Sequence, residues 1–171
     1  MAALLAPRAL AEGITVRSAS LVPMGGSWVL DAELDVPLNP TLEEALTRGV
    51  TLNFVAEFEL VRPRSYWFGE TEASFQQQYK LRYNPLTRQY QLTVGIVPEY
   101  YASLEEARRA LGQLQGWKVA DHTILKHGNI YRAGIALRLD TSRLPKPLLI
   151  STVGSRDWNL DSGWYYWTVQ P

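Results

Sequence analysis

The sequence predicts a mainly β protein, an antiparallel β-sandwich with two short capped α-helices, and three observations carry that expectation. Apolar and polar residues alternate with a period of two over several separate runs, the pattern of strands with one buried and one wet face. β-Branched and aromatic residues dominate those runs, with 6 Trp and 9 Tyr in the chain, and such side chains suit a pleated, half-buried surface. Turn residues recur at the spacing of hairpins rather than of helical crossovers.

Ile14 to Val22 reads as the first strand, and Pro23-Met24-Gly25-Gly26-Ser27 as the turn that reverses it. Trp28, Leu30, Ala32, Leu34 and Val36 then alternate with Val29, Asp31, Glu33 and Asp35, so the second arm is half buried. Asn39-Pro40-Thr41 opens a short helix in which Thr41 and Glu44 have capping-box spacing and Gly49 takes the left-handed position beyond its end. Leu52, Phe54, Ala56, Phe58 and Leu60 alternate with Asn53, Val55, Glu57 and Glu59 until Arg62-Pro63-Arg64 ends the strand. Phe75, Gln77, Tyr79, Leu81 and Tyr83 share one face of a long strand, Asn84-Pro85-Leu86-Thr87 turns it, and Tyr90, Leu92 and Val94 return.

Ser103-Leu104-Glu105-Glu106 caps a second helix with the apolar stripe Leu104, Ala107, Leu111 and Leu114, stopped at Gly116. Tyr131 to Leu139 alternates as a further strand. Leu148 to Val153 and Gly163 to Val169 read as two closing strands around a loop at Arg156-Asp157-Trp158-Asn159. Seven to nine hairpin-linked strands suit a sandwich, with an immunoglobulin-like order as one arrangement and a single curved sheet wrapped on the second helix as the rival.

A chain of 171 residues fits one core, placed here at residues 12–171. Residues 1–11 are small and apolar, and Ala9-Leu10-Ala11 forms a small-x-small cleavage site before Glu12. This segment reads as a residual or truncated signal peptide whose basic region would lie upstream of Met1, so the protein is expected to be periplasmic or otherwise exported. A cytoplasmic protein with an alanine-rich terminus is the alternative. No apolar run approaches the ~18 residues that span a bilayer.

Lysine plus arginine and aspartate plus glutamate both number 17, so no overall field attracts nucleic acid or an anionic membrane. With no cysteine, disulfides, thiolate metal sites and cysteine nucleophiles are excluded together.

Five segments carry a resemblance: Leu38 to Leu46, Phe58 to Arg64, Tyr83 to Tyr90, Arg138 to Pro147, and Ser155-Arg156-Asp157-Trp158. Together they resemble a bacterial family catalogued as domain of unknown function 4390, over roughly Glu12 to Pro171. The resemblance implies a small proteobacterial protein, usually made with an N-terminal signal peptide, and supplies no catalytic residue. The short leader here departs from the fuller signals of such relatives.

No enzyme chemistry is expected from the residues. Asp121 to Gly128 places His122 and His127 five apart in a loop, which fits neither a helical pair nor a same-face strand pair. No G-x-S-x-G or phosphate-binding glycine loop accompanies them. Asp31, Glu33, Asp35, Glu57 and Glu59 would form an oxygen-rich cation site only if their two strands were neighbours. The expected role is instead a solvated face opposite Arg17, Arg82, Arg132 or Arg138, with no metal and no cofactor.

The aromatics are the distinctive feature. Trp158, Trp164-Tyr165-Tyr166-Trp167, Tyr66-Trp67-Phe68 and Tyr100-Tyr101 cluster in short stretches. On a strand, Trp164 and Tyr166 face one way and Tyr165 and Trp167 the other, so one pair leaves the main core. The candidate binding residues are therefore Tyr66, Trp67, Trp158, Trp164, Tyr165 and Trp167, with Arg62 and Arg156 supplying guanidinium groups nearby in sequence. A non-enzymatic envelope protein binding another envelope protein is the first expectation. A small-ligand module with an aromatic-lined cleft for lipid, glycan or peptide is the second.

Overall fold

A computed structural model describes residues 13–64, 69–152 and 154–171. Nine strands form two antiparallel sheets. β1 (Thr15–Met24), β2 (Ser27–Asp35) and β7 (Gln113–Asp121) make the smaller, in the order β1-β2-β7. β3 (Leu52–Arg62), β4 (Glu70–Asn84), β5 (Gln89–Val94), β6 (Val97–Tyr101), β8 (Tyr131–Leu139) and β9 (Tyr165–Val169) make the larger, in the order β6-β5-β4-β3-β8-β9.

The two sheets share one core in a sandwich-like arrangement. Leu30 and Leu34 of β2 and Leu114 of β7 meet Phe54, Phe58 and Leu60 of β3, Tyr79 and Leu81 of β4, and Ile135 and Leu137 of β8. Trp117 of β7 bridges them, stacked on Tyr79 at 5.9 Å and tilted against Phe75 of β4 at 5.4 Å. Burial pushes the Tyr79 phenol well above its usual range. The four-strand run β3-β4-β5-β6 differs from an immunoglobulin domain, whose paired sheets follow another strand order. The single wrapped sheet is likewise not what forms, because β1, β2 and β7 pair only with one another.

Both expected helices are present and capped. Helix α1 (Pro40–Thr47) starts from Asn39, not Thr41: the Asn39 carboxamide oxygen accepts from the Leu42 N–H at 2.9 Å. Thr41 is free to donate to an Asp157 carboxylate oxygen at 2.8 Å. Helix α2 (Leu104–Leu111) starts from Ser103, which accepts from the Glu106 N–H at 3.2 Å, while Glu106 reaches back to the Ala102 N–H at 3.2 Å.

Three expectations are corrected. Helix α2 ends at Leu111 rather than near Gly116, because Gly112 docks on β2: the Leu34 N–H donates to its carbonyl at 2.7 Å, and a side chain there would strike the Leu34 carbonyl oxygen. Gly116, with φ of +71°, sits instead inside β7, donating its N–H to Asp31 at 2.8 Å beside a register shift. Leu148 to Thr152, read as strand, belongs to helix α3 (Lys146–Thr152), with Ile150 80% exposed. The place such a strand would take beside β8 is filled, since Leu139 N–H donates to Leu160 and Ser162 N–H to Leu137. The last residue of that expected strand, Val153, lies outside the described residues.

Candidate functional site

The register of β9 decides where the C-terminal aromatics go. Trp167 pairs with Ala133, Tyr166 with Gly134 and Tyr165 with Ile135. Strand alternation therefore sends Trp167 inward, 6.5 Å from Phe58, with Tyr165 behind it at 6.1 Å along the sheet edge. Tyr166 and Trp164 face outward, 41% and 42% exposed. The outward pair is stacked, with ring centroids 5.8 Å apart and planes within 14°. Arg132 of β8 lays its guanidinium over the Tyr166 ring at 4.6 Å, a cation–π contact of about 0.5–1 kcal/mol at a surface.

Gly134 is what lets this row lie low on the sheet. A Cβ at that position would stand 2.5 Å and 2.7 Å from Tyr166 ring carbons and 3.1 Å from Trp164 Cε3. Absence of a side chain thus creates the seat for the two rings.

In front of Trp164 lies a groove of about 480 Å³ on the outer face of the larger sheet, floored by Glu57 and Glu59 of β3 and Ser74 and Gln76 of β4. The β3–β4 register aligns these four, Glu57 opposite Gln76 and Glu59 opposite Ser74. Each carboxylate is held. Glu57 accepts from Gln76 Nε2 at 3.0 Å and from Arg138 Nε at 3.5 Å, and Glu59 accepts from the Tyr166 hydroxyl at 2.9 Å. Partial burial and then that carboxylate raise the Tyr166 phenol, so its proton stays on the hydroxyl that fixes Glu59. The groove presents an aromatic wall with oriented acceptors and donors, and among the described residues no lysine or arginine lines it.

The other described candidates do not line this groove. Trp158 is 9% exposed and belongs to the core, in a 3-10 turn (Arg156–Trp158) tied to α1 through Asn39 and Thr41. Arg156 and Trp158 line one separate depression together, with Leu139, Thr141 and Leu149. Arg62 is engaged by Glu70 and Glu72, both at 2.9 Å, and does not reach the aromatic row. Tyr66 and Trp67 lie outside the described residues. Among the six sequence candidates that fall within the described residues, only Trp164 lines the groove.

The two acidic runs do not meet, because β2 and β3 belong to different sheets. Asp35 pairs with Arg17 at 3.1 Å and Glu57 with Arg138, the ladder pairing expected of a solvated face. Among the described residues no group of three or more potential ligands converges on a metal position.

His122 and His127 do come together, which their spacing hid. Both line a cleft of about 560 Å³ where the β1–β2 hairpin, the β7–β8 loop and the end of β9 meet, with Leu21, Pro23, Trp28, Leu125 and Val169. His122 Nδ1 lies 2.8 Å from the Gly26 carbonyl and 3.0 Å from Asp121, so its ring is occupied structurally. The Trp28 indole nitrogen is buried without a hydrogen-bond partner among the described residues.

This geometry defines an antiparallel two-sheet domain with an aromatic groove on the outer face of its larger sheet. The sequence model of the family described as Domain of unknown function (DUF4390) matches residues 11–168, nearly the whole chain, and the protein belongs to that family. No curated protein and no solved structure matches it. Among the described residues no helix is long and apolar enough to cross a membrane.

Proposed function

We propose that this protein is a non-enzymatic, exported binding module of the bacterial envelope whose recognition site is the outer-sheet groove walled by Trp164. The carrying observation is the coincidence of a half-exposed indole with four polar side chains on the sheet, three of them, Glu57, Glu59 and Gln76, already held by hydrogen bonds. Preorganised polar groups beside an aromatic surface bind without first having to be ordered. Of the two sequence expectations, this favours the small-ligand module over a flat protein interface, whose centre would be depleted of charged residues. Export is supported by the Ala9-Leu10-Ala11 cleavage site alone.

Ser74 is the one hydroxyl side chain among the described residues that line the groove, with no histidine beside it to take its proton, and the Glu57 and Glu59 carboxylates are engaged by Gln76, Arg138 and Tyr166; both histidines line the separate cleft. The apolar cleft at Trp28 supports a second reading, in which an apolar ligand enters there.

The two readings separate in one experiment. The native protein and its Trp164→Ala and Leu125→Trp variants are captured from the envelope fraction, and the co-purifying species are measured by mass spectrometry. The groove reading expects the species to be lost with Trp164→Ala and retained with Leu125→Trp. The reverse pattern would move the site to the cleft, and recovery of the mature chain from the cytoplasm would remove export.

A further inference from the structure

Resting on the groove as the recognition site, we infer that its ligand is a neutral saccharide of gluco configuration, such as a β-1,4-linked hexose or N-acetylhexosamine chain. The inference comes from what the groove offers and what it lacks.

The wall is aromatic. Trp164 is backed by Tyr166, and Tyr166 by Arg132, so the indole is braced rather than free to swing. A gluco-configured pyranose carries its hydroxyls equatorially, which leaves its two ring faces as flat C–H patches. Such a face covers an indole with little loss of conformational freedom, whereas axial hydroxyls would hold it off.

The floor is polar and its valences are partly spent. A carboxylate accepts about four hydrogen bonds. Glu57 uses two, to Gln76 and Arg138, and Glu59 one, to Tyr166. Free lone pairs on both acids, the Gln76 carbonyl with its second N–H, and the Ser74 hydroxyl therefore remain, alternating acceptors with donors along β3 and β4. Equatorial hydroxyls at a sugar's rim both donate and accept, so they match such a mixed floor.

Other ligand classes fit less well. A phosphate, sulfate or uronate would face two carboxylates with no lysine or arginine among the described residues lining the groove. A lipid tail would cover four polar side chains and leave their hydrogen-bonding groups unpaired. A cationic peptide side chain is the nearest competitor, because it would satisfy both indole and carboxylate. Against it, Glu57 is already neutralised by Arg138, which leaves Glu59 as the one acid on the floor without an ion-pair partner among the described residues. A volume of about 480 Å³ lies in the usual range of small-ligand sites.

Calorimetric titration of the whole chain with cellotetraose, N,N′,N″,N‴-tetraacetylchitotetraose and a tetralysine peptide tests the inference. At least one tetrasaccharide is expected to bind saturably, with affinity falling about tenfold or more in Trp164→Ala and partly restored in Trp164→Phe. Glu59→Gln, which replaces a charged acceptor on the groove floor by a neutral one, is expected to weaken saccharide binding severalfold without abolishing it. Absence of saturable binding by both tetrasaccharides at millimolar concentration overturns the saccharide assignment, as does tetralysine binding that Glu59→Gln abolishes. If Trp164→Ala also leaves the envelope-captured species untouched, the groove itself is wrong; if that species is lost but is not a saccharide, only the ligand class is. Release of new reducing ends during the titration would contradict a binding role.

Discussion

The inner and outer faces of β3, β8 and β9 are made by the same three strands and do opposite work. Inward, Phe58, Ile135 and Trp167 interlock with the smaller sheet and are held by their apolar area. Outward, Glu57, Glu59, Tyr166 and Trp164 are held by hydrogen bonds and ring stacking, with the two rings lying over Gly134. Phe58, Ile135 and Trp167 pack with the rest of the core, whereas the outer groove keeps unspent lone pairs and an exposed indole. Stability should therefore follow the inner face and recognition the outer.

Phe58→Ala is the strongest test of that division. It removes a fully buried ring, so a loss of about 3–5 kcal/mol in denaturant unfolding is expected. A loss below about 1 kcal/mol would mean that the sheets are not packed as described. Gly134→Ala comes next, because it strikes the seat between the faces. Its methyl group must displace the Tyr166 and Trp164 rings, at about 1–3 kcal/mol, and the indole fluorescence of Trp164 should change with it. An unaltered spectrum and stability would show that the rings do not rest on this backbone.

Trp164→Ala sharpens the comparison from the other side. The ring is half exposed, so unfolding free energy should fall by no more than about 1 kcal/mol even as binding is lost. Asp140→Asn is the smallest effect expected. Asp140 caps the 3-10 turn after β8 (Thr141–Arg143), and hydrogen bonds from the Ser142 hydroxyl at 2.6 Å and N–H at 3.1 Å hold its carboxyl below the usual range. A carboxyl whose folded pKa is lowered adds stability above its unfolded pKa, and that stability is lost as pH falls through the folded value. The variant should thus cost less than about 1 kcal/mol near neutrality and nothing once the pH lies below the wild-type carboxyl's range. A penalty that persists in acid would mean that the charge is not involved.

Much of the inner face was legible in the sequence, because core positions recur every second residue in β2, β3, β4 and β8. Strand β7 was hidden: Leu111 and Leu114 are spaced as in a helix, and only the docking of Gly112 on Leu34 breaks it there. Strand β6, with exposed Val97 and Tyr100 at the sheet edge, has too little buried surface to alternate visibly. Helix α3 carries the β-branched, apolar composition of a strand, and its state depends on residues 160–162 occupying the edge of β8.

Half of the site was legible. Alternation alone put Trp164 and Tyr166 on one face. The residues that make a groove of it, Glu57, Glu59, Ser74, Gln76, Arg132 and Gly134, come from strands up to about a hundred residues earlier in the chain, and only the order β4-β3-β8-β9 brings them together. Local pattern carries no information on that order, so closeness in sequence to an aromatic stretch, as for Arg62 and Arg156, does not say which side chains share a groove.

The most direct measurement is a heteronuclear NMR titration of the ¹⁵N-labelled chain with the tetrasaccharide that binds. The indole N–H of Trp164 and the amides of Glu57, Glu59 and Gln76 are expected to shift together and saturate, with the indoles of Trp117 and Trp158 unmoved. Shifts centred on Trp28, Leu125 and Val169 instead would place the ligand in the end cleft and contradict the outer groove as the recognition site.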